Sequence, residues 1–133
     1  MENDKINIES IVNYWKESSE QNYVTMHNLL KSGDNSWALF MGHLVIEKLL
    51  KAMFVKNKEE HPIFTHDLLR LSKKIDLELT VEFEEWFDEI TTFNLNTRYD
   101  DYKQSFYKRC TEDFTVFWID KIEIIRKWLI SQL

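Results

Sequence analysis

Along most of the chain, apolar residues recur every three or four positions, the period of an amphipathic helix and not the alternation of a strand. Ile8, Ile11, Val12, Trp15, Met26, Leu29 and Leu30 form such a stripe over 8–31, with Ser19 and Asn22 as small polar interruptions. Gly33 follows at once and suits a left-handed cap, after which Asn35 or Ser36 can cap the next helix. The segment 36–57 is apolar nearly all round, with Trp37, Leu39, Phe40, Leu44, Ile46, Leu50 and Phe54 distributed over every face. A helix of that kind is usually central. Its polar exceptions are informative: His43, Glu47 and Lys51 are spaced by four and share one stripe, with Lys48 beside it.

Pro62 prevents this helix from continuing. Thr65 can cap a short helix over 66–74, and Thr80 a longer one to about Phe93, with Val81, Phe83, Trp86, Phe87 and Ile90 inward. Residues 93–110 carry no sustained period, and their Asn and Asp residues favour turns. A last helix starts by about Thr111, with Glu112 and Asp113 in the first turn, where the helix dipole favours acids. It has two apolar stripes, Trp118-Ile122-Ile125-Leu129 and Phe114-Phe117-Ile124-Trp128, and one core contact absorbs only one of them. The pattern predicts an all-α, up-and-down bundle of four long helices plus one short helix, as a single domain over 1–133.

Composition narrows the function classes. Two glycines and one proline in 133 residues exclude a turn-rich sandwich or barrel, and the single cysteine, Cys110, excludes an intrachain disulfide and a Cys-based zinc finger. Net charge is −6, and the acidity is local: Asp76, Glu78, Glu82, Glu84, Glu85, Asp88 and Glu89 fall in one stretch without a Lys or Arg, so the rest is nearly neutral. A tight free-standing nucleic-acid binder is disfavoured and DNA is not expected as a partner, but a local basic patch stays open. Met1–Ile6 lacks the pattern of a signal peptide, and no apolar run reaches ~18 residues. The expected setting is cytoplasmic, away from membranes.

Chemistry-bearing residues are sparse. No Glu stands three residues before any of His27, His43, His61 or His66, so the Glu-x-x-His pairs of di-iron bundles are missing. His61 and His66, with Glu60 or Asp67, make only a weak loop pair, and no metal or cofactor is assigned. Lys108 and Arg109 beside Cys110 would favour a thiolate, although an ordinary buried cysteine is the simpler reading. No glycine-rich phosphate loop exists. The stripe of His43, Glu47 and Lys51 reads either as an intrahelical Glu47–Lys51 pair with Lys48 snorkelling to water, or as a polar pocket. In the pocket Glu47 would fix a distant cation, Arg98, with His66 completing the cluster. Arg98 lies among Tyr99 and Tyr102, with Lys103, Lys108 and Arg109 following, and forms the chain's one anion-facing, stacking-capable patch.

At these residues the sequence resembles the HEPN (higher eukaryotes and prokaryotes nucleotide-binding) domain family. The resemblance rests on Tyr14-Trp15, Leu29 to Gly33, Glu47 to Ala52, His61-Pro62 with His66-Asp67-Leu68, and Phe93-Asn94 followed by Thr97-Arg98-Tyr99. It implies a dimerising helical bundle, often encoded beside a small nucleotidyltransferase in toxin–antitoxin pairs whose HEPN member is a metal-independent ribonuclease. The family's ribonuclease motif is Arg, four to six residues, then His. Arg98 matches the Arg, but Lys103, Gln104 and Ser105 occupy the positions where His should fall, and no His follows His66. The resemblance is therefore to an Arg-Tyr subgroup lacking the catalytic His. Cleavage through a 2′-hydroxyl needs a group near pKa 7 to move protons, which Lys103 does not supply. The expectation is a homodimeric module that binds a nucleotide, RNA or a partner nucleotidyltransferase through Arg98, Tyr99, Tyr102, Lys103, Glu47, Lys51 and His66. The alternatives are a ribonuclease toxin with an unconventional site and a purely structural interaction protein.

Overall fold

Helix α1, Ile8–Lys31, begins where the Asn7 side chain accepts a hydrogen bond from the Ser10 amide at 3.0 Å. The computed structural model describes residues 7–133; the Met1–Ile6 segment lies outside them. At the end of α1 the Asp34 amide donates to the Leu29 carbonyl at 2.9 Å and the Gly33 amide to Leu30 at 3.2 Å. That pair of bonds is a Schellman closure, and it puts Gly33 at φ +80°, as the sequence anticipated.

Helix α2, Asn35–Lys58, has Asp34 at its N-cap, not Asn35 or Ser36. The Asp34 carboxylate accepts from the Ser32 hydroxyl at 2.6 Å, while the Asn35 amide donates to the Cys110 carbonyl at 3.1 Å. Asn35 thus ties the start of α2 to Cys110, seventy-five residues later in the chain. As its all-round apolarity predicted, α2 is central: α1, α3, α4, α5 and α6 all pack on it. Leu39, Val45, Ile46, Leu49, Leu50 and Phe54 are buried, each worth roughly 1.5–3 kcal/mol. Two small residues permit close approach. The Ser19 hydroxyl donates to the Val45 carbonyl at 2.8 Å. A β-carbon on Gly42 would stand 2.5 Å from Ile122 Cδ1.

Helix α3, Leu68–Lys74, is capped by Asp67, which accepts from the Arg70 amide at 3.2 Å. Thr65 instead accepts from the Asp67 amide at 3.1 Å, two residues before the cap. Helix α4, Val81–Arg98, starts at the expected Thr80 cap but runs past Phe93 to Arg98. Phe93, Asn94 and Thr97 are buried there, and packing overrides the turn preference of Asn. Tyr99 is extended, and a further helix follows, α5, Asp100–Arg109. Helix α6, Glu112–Gln132, begins at Thr111 as expected. Among the described residues there are six helices, so the segment expected to be irregular is the main correction. Phe106, 1% exposed, anchors α5 through its ring 5.5 Å from that of Phe93. No helix among the described residues is long and apolar enough to cross a membrane.

Candidate functional site

The polar stripe of α2 is a closed cluster. Glu47 Oε1 lies 2.8 Å from His66 Nδ1 and 3.8 Å from His43 Nε2, and Glu47 Oε2 accepts from Lys51 Nζ at 3.1 Å. His43, Glu47 and Lys51 are buried. His43 Nε2 faces the His66 carbonyl at 2.8 Å, so it donates, which leaves Nδ1 as a buried acceptor without a partner. Burial holds the His43 pKa below its ordinary value, against the opposing pull of Glu47, and the ring stays neutral at pH 7. Lys51 Nζ lies 5.1 Å from the Trp15 ring and 6.0 Å from that of Phe64. The connector 59–67 is thereby fastened to α2 by its own His66.

Arg98 takes no part in this cluster. Its guanidinium donates to Asn94 Oδ1 at 3.3 Å, one turn back on α4. The expected Arg98–Glu47 pair does not form: Glu47 has His66 and Lys51 instead. The geometry leaves no room for it. Ser36 lines a cleft together with Thr97, the neighbour of Arg98. Glu47 lies eleven residues further along α2, about 16 Å at 1.5 Å per residue. The seven predicted residues therefore fall into two places. Glu47 and Lys51 on mid-α2 are joined by His66 from the connector; Arg98, Tyr99, Tyr102 and Lys103 are at the α4–α5 junction.

At the junction, Arg98 is exposed, and Tyr99 and Tyr102, which follow it, are 55% and 48% exposed. Beside them opens a cleft of about 180 Å³, lined by Ser36, Trp37, Thr97, Lys103, Gln104, Phe106 and Tyr107. Lys103 is the only predicted residue in that lining. The others are not among the residues expected at the site, because Trp37 reads as one of many apolar residues of α2 and the segment that forms α5 carries no sustained period. Arg109 does not extend the basic patch. It pairs with Glu89 at 3.2 Å and stands over the Phe106 and Phe114 rings. Cys110 is buried, and burial pushes its thiol up to about 11 despite Arg109, so it carries no thiolate chemistry.

A third polar group, between α1 and α6, was also unforeseen. The Tyr23 hydroxyl donates to Glu123 Oε2 at 2.9 Å, His27 Nε2 lies 3.1 Å from Glu123 Oε1, and the Arg126 guanidinium stacks 3.6 Å over Tyr23. No group of three or more His, Cys, Asp or Glu among the described residues is placed to hold a metal ion.

A six-helix bundle with an Arg-Tyr pair at the end of its fourth helix defines a class. The HEPN domain family model matches residues 12–133, and the chain belongs to that family. Comparison with curated proteins and with solved structures gives no match.

Proposed function

We propose that this HEPN chain is a homodimeric RNA-binding module that has lost ribonuclease chemistry, working in the cytoplasm as one half of a toxin–antitoxin-type pair with a nucleotidyltransferase. The observation that carries the reading is Arg98, exposed at the α4–α5 junction and followed by two exposed tyrosines, next to Thr97, which lines a cleft. A guanidinium meets a phosphate bidentately, and tyrosine faces stack on unpaired bases of any sequence. Of the acidic stretch, Glu82, Glu84 and Glu85 precede Arg98 on α4 by thirteen or more residues, about 20 Å along the helix, which is more than two Debye lengths at physiological salt, and Glu89 is paired with Arg109. The histidines also support a binding role. His43 and His66 serve the Glu47 cluster and His27 faces Glu123, each engaged away from Arg98.

The test is fluorescence anisotropy with single-stranded RNA, alongside a cleavage assay in chelator-containing buffer. Binding without cleavage is expected, with roughly tenfold weaker affinity for Tyr99→Ala or Tyr102→Ala. Cleavage that vanishes in Arg98→Ala would establish the ribonuclease alternative; no binding at low salt would end the RNA reading. A structural interaction role has one observation in its favour, the exposed acids Glu82, Glu84, Glu85 and Asp88. Co-purification from the native host separates the partners.

A further inference from the structure

The cleft beside Arg98 has polar groups that the fold leaves unused. Thr25, Thr91, Thr92 and Thr115 lie within helices, and each donates its hydroxyl to a carbonyl of the preceding turn at 2.6–3.1 Å. That bond is the ordinary fate of a helical threonine. Thr97 departs from it: its Oγ1 is buried and has no hydrogen-bond partner. Ser36, 8% exposed and also on the cleft, makes no side-chain hydrogen bond among the described residues. One turn before Thr97, the Asn94 amide nitrogen is a second buried group without a partner, while its oxygen takes Arg98. Buried polar groups without partners are rare in folded proteins.

The cleft walls complement these groups. Trp37 and Tyr107 are 42% and 67% exposed, and Gln104 offers an amide with two donors and an acceptor. At about 180 Å³ the space is below the ~300–1,000 Å³ of drug-sized ligand sites, and suits one flat ring system.

We propose that this cleft reads a single base of the bound RNA: the base stacks on Trp37 and Tyr107, and Ser36, Thr97 and Gln104 hydrogen-bond its edge. The Thr97 hydroxyl turns into the cleft by the χ1 rotation open to a helical threonine. The proposal rests on the RNA reading of the Arg98 surface and adds base selectivity, which Arg98 and the flanking tyrosines do not supply, because phosphate contact and stacking tolerate any sequence.

The experiment measures affinities of the full chain for the four homopolymeric RNA 8-mers and the four ribonucleoside monophosphates, using anisotropy for the former and tryptophan fluorescence for the latter. Thr97→Val keeps the shape and removes the hydroxyl; Gln104→Ala is the second variant. The expected result is at least a tenfold preference of the wild type for one base, reduced threefold or more by either variant, with the wild-type melting temperature kept or raised in Thr97→Val. Arg98→Ala should weaken all four 8-mers alike and preserve the preference. Equal binding of all four 8-mers, unchanged in Thr97→Val, would overturn the base pocket and leave the RNA reading intact. Monophosphate binding that responds to Thr97→Val without any 8-mer binding would uphold the pocket and defeat the RNA reading. Absence of both would defeat both.

Discussion

A buried carboxylate on an apolar helix needs hydrogen-bond and charge partners, and Glu47 takes them from within its own neighbourhood. Lys51 is one turn away and His66 enters from the connector, so the carboxylate is satisfied without Arg98. Removing one member of such a set leaves the others buried and unpaired. Glu47→Ala should therefore cost about 3–5 kcal/mol in chemical denaturation, whereas Arg98→Ala should leave the denaturation midpoint close to wild type. His43 adds a pH dependence with a definite sign. Burial lowers its folded-state pKa, so in acid the unfolded chain takes up a proton that the folded chain refuses. The stabilisation is full above the unfolded value of about 6.5 and falls away as pH drops below it, until the folded ring also protonates. Thermal melts between pH 7.5 and 5 should show a shallower decline for His43→Gln than for wild type. Cys110, with its thiol pushed up to about 11, should resist iodoacetamide at pH 7.5 in the folded protein and react once urea exposes it.

At the scale of helices, legibility in the sequence tracked how far each element's own residues decide its state. Thr80 and Thr111 cap their helices as read, because a threonine before an acidic first turn satisfies amides locally. The all-round apolarity of α2 announced its central place for a similar reason. Helix α5 was hidden because, among its described side chains, Phe106 alone is buried, so no apolar stripe marks it; its anchor is Phe93, thirteen residues earlier. The last turn of α4 was hidden because Asn94 and Thr97 are poor helix formers held by packing. That error carried into the site. With 93–110 read as irregular, Arg98 could be placed against Glu47; as the last residue of an 18-residue helix, it is fixed at the opposite end of the cleft region from mid-α2. Gly42 shows the same limit. In sequence it is one small residue in an apolar run, but a side chain there meets Ile122 across the α2–α6 contact. Gly42→Val should destabilise by about 1–3 kcal/mol, read as a lower denaturation midpoint with the slope unchanged.

For the molecule as a whole, the second apolar stripe of α6 is covered only in part within one chain: Phe114 and Trp128 pack against the core, and Phe117 and Ile124 do not. Ile122, Ile125 and Leu129 are fully buried, whereas Phe117 and Ile124 are 50% and 41% exposed. Lys121 lies between these two, its ammonium 4.7 Å from the Phe117 ring and 5.2 Å from that of Trp86 on α4. Exposed Phe and Ile two turns apart on one helix face mark an interface, and a two-fold contact is the commonest way a single chain covers one. Light scattering at high micromolar concentration should give twice the chain mass of 16.2 kDa. Phe117→Asp with Ile124→Asp should return the mass to one chain while the far-ultraviolet dichroism keeps its helical shape, because neither residue belongs to the buried core. A wild-type chain that stays monomeric at that concentration would mean that this face is not a self-association surface.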